Sequence, residues 1–378
     1  MLNVRFPHHR CTAIRLKRVL TNLAVVCVSL LVALAMAEGI ARIVASGSRN
    51  PEYGCNRLMD GTPLSQKAWV ERFLVQHPVP GVRHGFVPLG RWEFCYPAGR
   101  QSYFEPGGCV TYVIGSHGYR GPEGLWQKPQ GRMRILIIGD SVSFGIGVPS
   151  ESLYSRHLER YLRTFRPNLD VVNQGVLGYM ASEGVAVLVH QVHKRSPDLI
   201  VWQLHINDLI AMEGWAPRPV ALALPDSWRK ELRLVSLIEH RLSVTGHIRD
   251  MEAQYGREAD PVVTDERTED FIRAAAWAGK TLKIQGLPCI AMLYPYPDYI
   301  GKKYPFTGLH RIFEENCRKA GIIPLDLLPW LRGLSNGELW VDQSDNHPNA
   351  RGHRIMAEAL AVTLAKHFGP GLEDIQPR

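Results

Sequence analysis

Short apolar runs alternate with amphipathic stretches from residue 134 onward. The run 135–138, Ile-Leu-Ile-Ile, is bounded by Arg134 and Gly139 and predicts a strand buried on both faces. Comparable runs predict four further strands, over 169–173, 199–204, 289–293 and 322–325. Helical spacing predicts one helix over 151–165 and a second that follows Gly178 and ends at about 193. Three more are predicted over 228–242, 266–282 and 350–368. Strands separated by helical crossovers indicate an α/β fold, with a parallel five-stranded sheet covered on both faces.

The connection between the third and fourth predicted strands is longer than the others. It forms a helical insertion at about 211–285, whose two predicted helices are joined by the charged stretch 249–267. Its first part, 211–227, contains Trp215 and several prolines. Two interpretations stay open: a cap over the carboxyl edge of the sheet, or a lengthened crossover.

The domain that holds these strands is predicted to span 131–378, and a less regular segment precedes it. Residues 45–130 are rich in Gly, Pro and aromatic side chains, with extended pieces at 91–96 and 110–114. We expect a small, irregular β-rich segment that packs against the main domain. Its two histidines, His84 and His117, are interpreted as surface or packing residues.

The N-terminus carries most of the basic charge. The formal net charge is +8, and residues 1–18 contribute five of these charges with no acid, so the basic balance indicates no nucleic-acid partner. From Val19 to Ala37 there is no charged residue, long enough for one membrane span. We predict a basic cytoplasmic leader over 1–18 and a transmembrane signal anchor over 19–44. The alternatives are a signal peptide cleaved near Ala35-Met36-Ala37 and a buried helix of a soluble protein.

The cysteines agree with an exported body. Five of the seven follow the apolar run, namely Cys55, Cys95, Cys109, Cys289 and Cys317, so at least one of them has no partner within the chain. Pairing of Cys95 with Cys109 is a hypothesis. The sequence has no C-x-x-C pair and no phosphate-loop lysine after Gly139, so neither a metal nor a nucleotide cofactor is predicted.

Polar clusters follow four of the predicted strands. Gly139-Asp140-Ser141 ends the first strand, and taken alone it is equally well an ordinary turn. The other clusters are 173–179, 205–208 and 345–349. The carboxyl ends of parallel strands meet at one edge of the sheet, so we expect the clusters to form one site there.

Serine-based acyl chemistry fits the residue types in these clusters. Ser141 needs a base to become a nucleophile, and a neutral His347 can serve. Asp345 can accept from the far ring nitrogen and fix the tautomer. The backbone N–H of Gly178 and the amide of Asn207 suit an oxyanion hole. Separately, each cluster has a plainer interpretation. Residues 207–208 can be a helix cap, the glycines at 175 and 178 can belong to turns, and 347–348 can be the entry loop of the last helix with Asp345 as its cap.

These motifs, in this order, resemble the SGNH/GDSL hydrolase superfamily of serine esterases and acyl transferases, over about 134–368. The resemblance implies a flavodoxin-like three-layer α/β/α sandwich, with Ser141 as nucleophile and His347 as base. It also implies that the Ser141 backbone amide joins Gly178 and Asn207 in the oxyanion hole. The basic leader, the membrane helix and Gly118-Tyr119-Arg120-Gly121 are similar to exported members.

Two positions depart from the family pattern. His205 stands where many relatives have glycine, so an imidazole can enter, narrow or underlie the site. The acid lies two residues before His347, whereas many relatives have it three before, where this chain has Ser344. Asp342 is therefore the alternative to Asp345 as third member of the triad. Asp140 is interpreted as structural.

The main hypothesis is a serine esterase or deacylase that acts on an acyl ester, such as an acetylated envelope glycan or a lipid-linked ester. It is predicted to face the periplasm or the exterior from a single span in a bacterial inner membrane. An O-acyltransferase on the same site is the second hypothesis. A non-catalytic, membrane-tethered glycan-binding protein is the third.

Overall fold

The computed structural model of the protein describes residues 8–47, 54–96, 99, 101–121, 127–210, 223–224, 231–255, 266–300 and 304–375. Two compact units are present. One comprises Met1–Asn50 and Ala216–His247, and the other comprises Pro51–Trp215 and Ile248–Arg378. Most of the predicted stretch 211–227 and part of 249–267 lie outside the described residues.

Strands and helices alternate through most of the described chain. The strands are β1 Cys55–Arg57, β2 Pro63–Leu64, β3 Leu74–Val75, β4 Gly85–Phe86, β5 Arg91–Cys95, β6 Cys109–Val113, β7 Met133–Gly139, β8 Leu169–Gly175, β9 Leu199–His205, β10 Cys289–Tyr294, β11 Ile323–Asp326, β12 Trp340–Asp342 and β13 Asp345–Pro348. The helices are α1 His8–Gly47, α2 Gln66–Phe73, α3 Ser141–Phe144, α4 Tyr154–Arg163, α5 Ala181–Arg195, α6 Arg233–Tyr255, α7 Glu266–Gln285, α8 Thr307–Lys319, α9 Leu328–Leu331, α10 Asn336–Leu339 and α11 Ala350–Phe368.

The central sheet has five parallel strands in the order β8-β7-β9-β10-β11. Counted from β7, this is the 2-1-3-4-5 order of flavodoxin-like folds. Every residue of β7 is buried, because the strand lies inside the sheet with helices on both faces. The predicted α/β fold with a parallel five-stranded sheet is therefore confirmed.

Helices cover both faces of this sheet. On one side α4 packs against α11, and on the other α7 packs between α5 and α8. The Trp202 ring of β9 stacks on Phe271 of α7, which in turn contacts Phe313 of α8. Helix α7 thus belongs to the covering layer as the crossover between β9 and β10. The result is the three-layer sandwich that the resemblance implied.

A small antiparallel sheet, ordered β2-β1-β5-β6, precedes the main sheet. The Cys95–Cys109 disulfide links its neighbouring strands β5 and β6, as hypothesised from the sequence. An aromatic cluster around Trp92 joins this segment to the larger sheet, since the Phe144 ring stacks on Phe86 with a centroid distance of 4.9 Å. Packing of this kind fixes the segment next to the turn that carries Ser141.

The first unit contains α1 and the start of α6. Residues Thr21–Arg42 have a mean hydropathy of 2.4 and are long and apolar enough to cross a membrane, although a signal sequence has the same properties. The Glu38 carboxylate accepts hydrogen bonds from the backbone N–H groups of Arg233 and Leu234, at 3.0 and 2.9 Å. Glu38 therefore caps the N-terminus of α6 within this unit.

Buried ion pairs hold the amino end of β7 in place. The Arg134 guanidinium is fully buried and donates two hydrogen bonds to Asp170, at 2.9 and 3.0 Å. The Asp198 carboxylate accepts from the Arg134 backbone N–H at 2.7 Å and from Lys128 Nζ at 2.8 and 2.9 Å. These contacts neutralise charges that burial would otherwise penalise.

Candidate active site

Ser141 lies where β7 ends, as the first residue of the short helix α3. The Asp140 side chain caps this helix by accepting from the Val142 backbone N–H at 2.8 Å. Gly139 is needed before it, because a Cβ there would lie 2.4 Å from both Gln203 Oε1 and Ser143 Oγ. The turn thus presents the Ser141 hydroxyl at the carboxyl edge of the sheet.

A chain of hydrogen bonds connects Ser141, His347 and Asp345. His347 Nε2 lies 2.9 Å from Ser141 Oγ, and His347 Nδ1 lies 2.6 Å from Asp345 Oδ1. Asp345 Oδ1 also accepts from the His347 backbone N–H at 3.0 Å. Both residues belong to β13, which pairs with β12 in a small hairpin. Because a carboxylate only accepts, Nδ1 carries a proton, and Nε2 is left to accept from the serine.

The charges of His347 and Asp345 stabilise each other. Burial lowers the pKa of His347, but the negative charge and hydrogen bond of Asp345 outweigh it, so the pKa is raised above 6.5. For Asp345, burial raises the pKa, while the positive charge and hydrogen bond of His347 outweigh burial and lower it to about 2. Asp345 is therefore ionised at neutral pH and holds the ring in place.

The two other candidate acids have structural contacts. Asp342 accepts from the backbone N–H and the hydroxyl of Ser344, at 3.0 and 2.8 Å, and thereby shapes the β12–β13 turn. Asp140 is buried, which raises its pKa to about 6, and its oxygen caps α3. Asp345 is the carboxylate that contacts the imidazole.

Asn207 lies beside Ser141 in the short 3-10 turn Ile206–Asp208 after β9. Its backbone N–H donates to His205 Nδ1 at 3.2 Å, and its carbonyl accepts from Arg267 at 3.1 Å. These two contacts fix the backbone from which the Asn207 amide extends. Ser141, Asn207 and His347 line one cavity of about 280 Å³.

Gly178 lies in the turn after β8, with φ of +69°, a region that favours glycine. The Gly178 N–H belongs to the peptide between Leu177 and Gly178. The carbonyl of this peptide, that of Leu177, accepts from His84 Nε2 at 2.9 Å, which holds the peptide in place. The Gly178 carbonyl accepts from Arg83, whose guanidinium pairs with Glu183. Within the described residues, Gly178 is outside the lining of the cavity that contains Ser141.

His205 enters this cavity, one of the outcomes that the sequence left open. Burial lowers its pKa to about 4, so the ring is neutral at physiological pH. Because Nδ1 accepts from the Asn207 backbone, the proton is on Nε2. Tyr294 and Tyr296 pack around the ring, with centroid distances of 6.0 and 6.2 Å.

Two further contacts at the site were not predicted from the sequence. Tyr96 donates from its hydroxyl to Asp345 Oδ2 at 2.7 Å. Asn173 Nδ2 donates to the Ser143 carbonyl at 2.7 Å, which ties β8 to α3. Glu93, Cys95 and Cys109 cluster nearby, but the two sulfurs are bonded to each other and cannot serve as thiolate ligands.

Comparisons with known proteins give partial matches. No family model matches the sequence. An arylesterase from Vibrio mimicus is 26% identical over 110 residues, which are 29% of this chain and 50% of the relative. The chain therefore spans about half the length of the curated relative it matches.

Among solved structures, the chain is similar to TesA, with 16% identity, a TM-score of 0.42 and coverage of 62% of this chain and 99% of the other. A mutant acetylxylan esterase from Geobacillus stearothermophilus gives 16% identity, a TM-score of 0.40 and coverage of 62% and 95%. A protein from Desulfitobacterium hafniense, described as lipolytic and of the G-D-S-L family, has 14% identity and a TM-score of 0.35. The match covers 61% of this chain and 98% of the other.

Proposed function

We propose that this protein is a serine esterase that cleaves an acyl ester through an acyl-serine intermediate. The observation that carries the proposal is the chain of hydrogen bonds from Ser141 through His347 to Asp345, at 2.9 and 2.6 Å. It links a nucleophile, a base and an orienting acid within hydrogen-bond reach, as covalent acyl transfer requires.

In the first half of the reaction, Ser141 Oγ attacks the ester carbonyl carbon while His347 Nε2 takes the hydroxyl proton. The carbonyl oxygen becomes an oxyanion, stabilised by the Ser141 and Gly178 backbone N–H groups and the Asn207 side chain. The bond to the alcohol oxygen then breaks, and His347 returns the proton to the leaving alcohol. The product is an acyl ester of Ser141.

In the second half, a water molecule attacks the acyl carbon and gives a proton to Nε2. Collapse of the second tetrahedral intermediate breaks the bond from the acyl carbon to Ser141 Oγ and releases the carboxylic acid, while His347 Nε2 returns its proton to Oγ. Asp345 stabilises the imidazolium in both halves. A sugar hydroxyl in place of water would give an O-acyltransferase, which becomes an outcome of the test below.

The cavity supports a short acyl group. Its volume of about 280 Å³ includes the space for the alcohol portion, and the rings of His205, Tyr294 and Tyr296 bound it. Ligand pockets commonly measure about 300–1,000 Å³, so this one is small. We therefore propose acetyl or similarly short esters as substrates.

The N-terminal helix supports a membrane-tethered location. Apolar side chains along α1, such as Leu31 and Met36, are 66% and 63% exposed, and a bilayer would cover them. With the basic leader on the cytoplasmic side, the domain would face the periplasm, where acetylated glycans and lipid-linked esters are available. The Cys95–Cys109 disulfide fits that compartment.

Hydrolysis of p-nitrophenyl acetate, butyrate and octanoate by the full chain in a non-ionic detergent tests the proposal. Ser141→Ala and His347→Ala are expected to lower kcat by about 10⁴–10⁶-fold, and Asn207→Ala by about 10²–10³-fold. Matched controls are Ser102→Ala and His193→Ala, which alter exposed residues.

If the wild-type protein hydrolyses none of these esters, labelling with a fluorophosphonate probe is the next measurement. Labelling that Ser141→Ala abolishes, without ester turnover in water, would indicate an acyltransferase that lacks its acceptor. Absence of both labelling and turnover would overturn the serine-esterase proposal and favour a glycan-binding protein. Circular dichroism of each variant separates loss of chemistry from loss of folding.

A further inference from the structure

A second cavity, of about 310 Å³, lies beside the edge strand β8. We name it the arginine cleft. Four residues of β8, Asp170 to Asn173, form part of its wall, together with the loop around Tyr119. In the part of the chain that the structure describes, none of its lining residues lines the cavity of Ser141. Its charged lining consists of Arg120, Arg132, Arg156, Arg163, Arg195, Glu159 and Asp170.

The lining has an excess of positive charge, since five arginines face two carboxylates. The carboxylates are already engaged. Glu159 pairs with Arg156 and Arg163, at 2.5 and 2.9 Å. Asp170 pairs with Arg132 at 3.6 Å and with the buried Arg134 at 2.9 Å. The arginine charges therefore exceed the negative charge that the wall provides.

Burial makes this excess costly. Desolvation lowers the pKa of Arg195 to about 9 and that of Arg120 to about 10. Arg120 Nε is also buried and, among the described residues, has no hydrogen-bond acceptor. An anion in the cleft would relieve both effects, because guanidinium groups match carboxylate and phosphate oxygens in charge and geometry.

From these observations, we propose that the arginine cleft binds an anionic ligand, a phosphate or carboxylate group carried by a molecule about as large as a monosaccharide. Arg132 and Arg163 retain 27% and 44% of their side-chain exposure, so an incoming anion can reach them. The site is distinct from the esterase site and does not depend on the proposed esterase activity.

The cleft also contacts the turn that carries Ser141. Arg120 donates to the carbonyls of Phe144, Gly145 and Val148, at the end of α3 and in the residues that follow it. Asn173, which lines the cleft, donates to the Ser143 carbonyl. An anion bound to Arg120 would therefore contact the same guanidinium group that donates to the backbone after Ser141.

Isothermal titration calorimetry of the full chain in non-ionic detergent, at constant ionic strength, tests binding. The probes are inorganic phosphate, glucose 6-phosphate and glucuronate, with glucose as the neutral comparison. We expect saturable binding of the anions and none of glucose. Comparing the dissociation constants of the two phosphates with that of glucuronate then identifies which anionic group the cleft prefers.

The double variant Arg132→Gln/Arg163→Gln is expected to raise the dissociation constant about tenfold or more, since each lost arginine removes a charge-assisted hydrogen bond. It leaves Glu159 paired with Arg156, and Asp170 paired with Arg134, so both carboxylates keep a partner. The matched control, Arg311→Gln/Arg318→Gln on α8, removes the same charge outside the cleft. It is expected to bind as the wild type does.

Glu159→Gln gives a test in the opposite direction, because removing a negative charge from the lining is expected to tighten anion binding. Absence of saturable anion binding to the wild type would overturn the proposal. So would equal weakening in the cleft variant and the α8 control, or weaker binding by Glu159→Gln with an unchanged circular dichroism spectrum.

Discussion

The Tyr96 hydroxyl donates a hydrogen bond of 2.7 Å to Asp345 Oδ2, across 249 positions of the sequence. Oδ1 of the same carboxylate binds the His347 ring. Tyr96 is thus a positioning residue: it fixes the second oxygen, so the carboxylate cannot rotate away from the imidazole. Its neighbour Cys95 is tied to Cys109, which holds this strand end in place.

Tyr96→Phe is expected to lower kcat for p-nitrophenyl acetate about tenfold, because losing one hydrogen bond to a charged group costs roughly 1.5–3 kcal/mol. KM should change little. The acid limb of the pH–rate profile should also shift to lower pH, since a less firmly held Asp345 supports the imidazolium less. Tyr161→Phe, on the exposed face of α4, is the control. An unchanged profile would contradict the positioning role.

His84 holds the Gly178 peptide, because its Nε2 donates to the Leu177 carbonyl. His84→Leu is expected to lower kcat about tenfold by loosening one oxyanion donor, a smaller loss than deleting a donor outright. His84→Gln can still donate to that carbonyl and should recover part of the rate. If both variants match the wild type, Gly178 is not a functional donor.

His205 fills the position that is glycine in many relatives. His205→Gly enlarges the cavity and removes the acceptor of the Asn207 backbone N–H. We expect a lower kcat/KM for the acetate ester and a raised butyrate-to-acetate ratio of kcat/KM. Measuring kcat/KM for esters of two to eight carbons checks this. A ratio that stays constant would show that His205 does not limit the acyl group.

The pH dependence follows from the raised pKa of His347. Only the unprotonated ring can take the serine proton, so kcat/KM should fall as the pH drops through a midpoint above 6.5. Asp345→Asn removes the charge that raises this pKa, and burial then moves the midpoint below 6.5. A pH–rate profile of both proteins measures the shift. An identical midpoint would exclude Asp345 as the partner that sets the pKa.

Lys128 and Asp198 form a buried ion pair, with 4% and 0% side-chain exposure. Lys128→Met leaves the carboxylate buried without its cation, so we expect a loss of about 3–5 kcal/mol in the free energy of unfolding. Lys67→Met is the control, because Lys67 pairs with Glu71 while 84% exposed and should change stability by about 0.5 kcal/mol or less. Urea unfolding compares the two.

The sheet could be predicted because its strands are buried on both faces and therefore form continuous apolar runs. The predicted strand at 289–293 is observed as Cys289–Tyr294, and the helix at 350–368 has the same bounds as α11. Helix α6 reaches Tyr255, well beyond the predicted end at 242, although the weak helix formers Ser243, Val244, Thr245 and Gly246 follow that point.

The site was predictable only in part. Ser141 and Asn207 each follow a strand of the parallel sheet, which fixes their common edge, whereas His347 lies within the separate β12–β13 hairpin. Tyr96 and the arginine cleft depend on contacts between distant parts of the chain, and their residues have no shared motif. The arginines of the cleft are scattered between positions 120 and 195, so the small net charge of the body conceals them.

The separation of Ser141 from His347 by 206 positions has a consequence for biosynthesis. A ribosome that has reached α8 has already produced the nucleophile, the oxyanion turn and Tyr96, yet the growing chain still lacks its base. If Ser141 is the proposed nucleophile, it can gain its base only after the hairpin of β12 and β13 has been synthesised. A product truncated anywhere before this hairpin would contain an ordinary, unreactive serine.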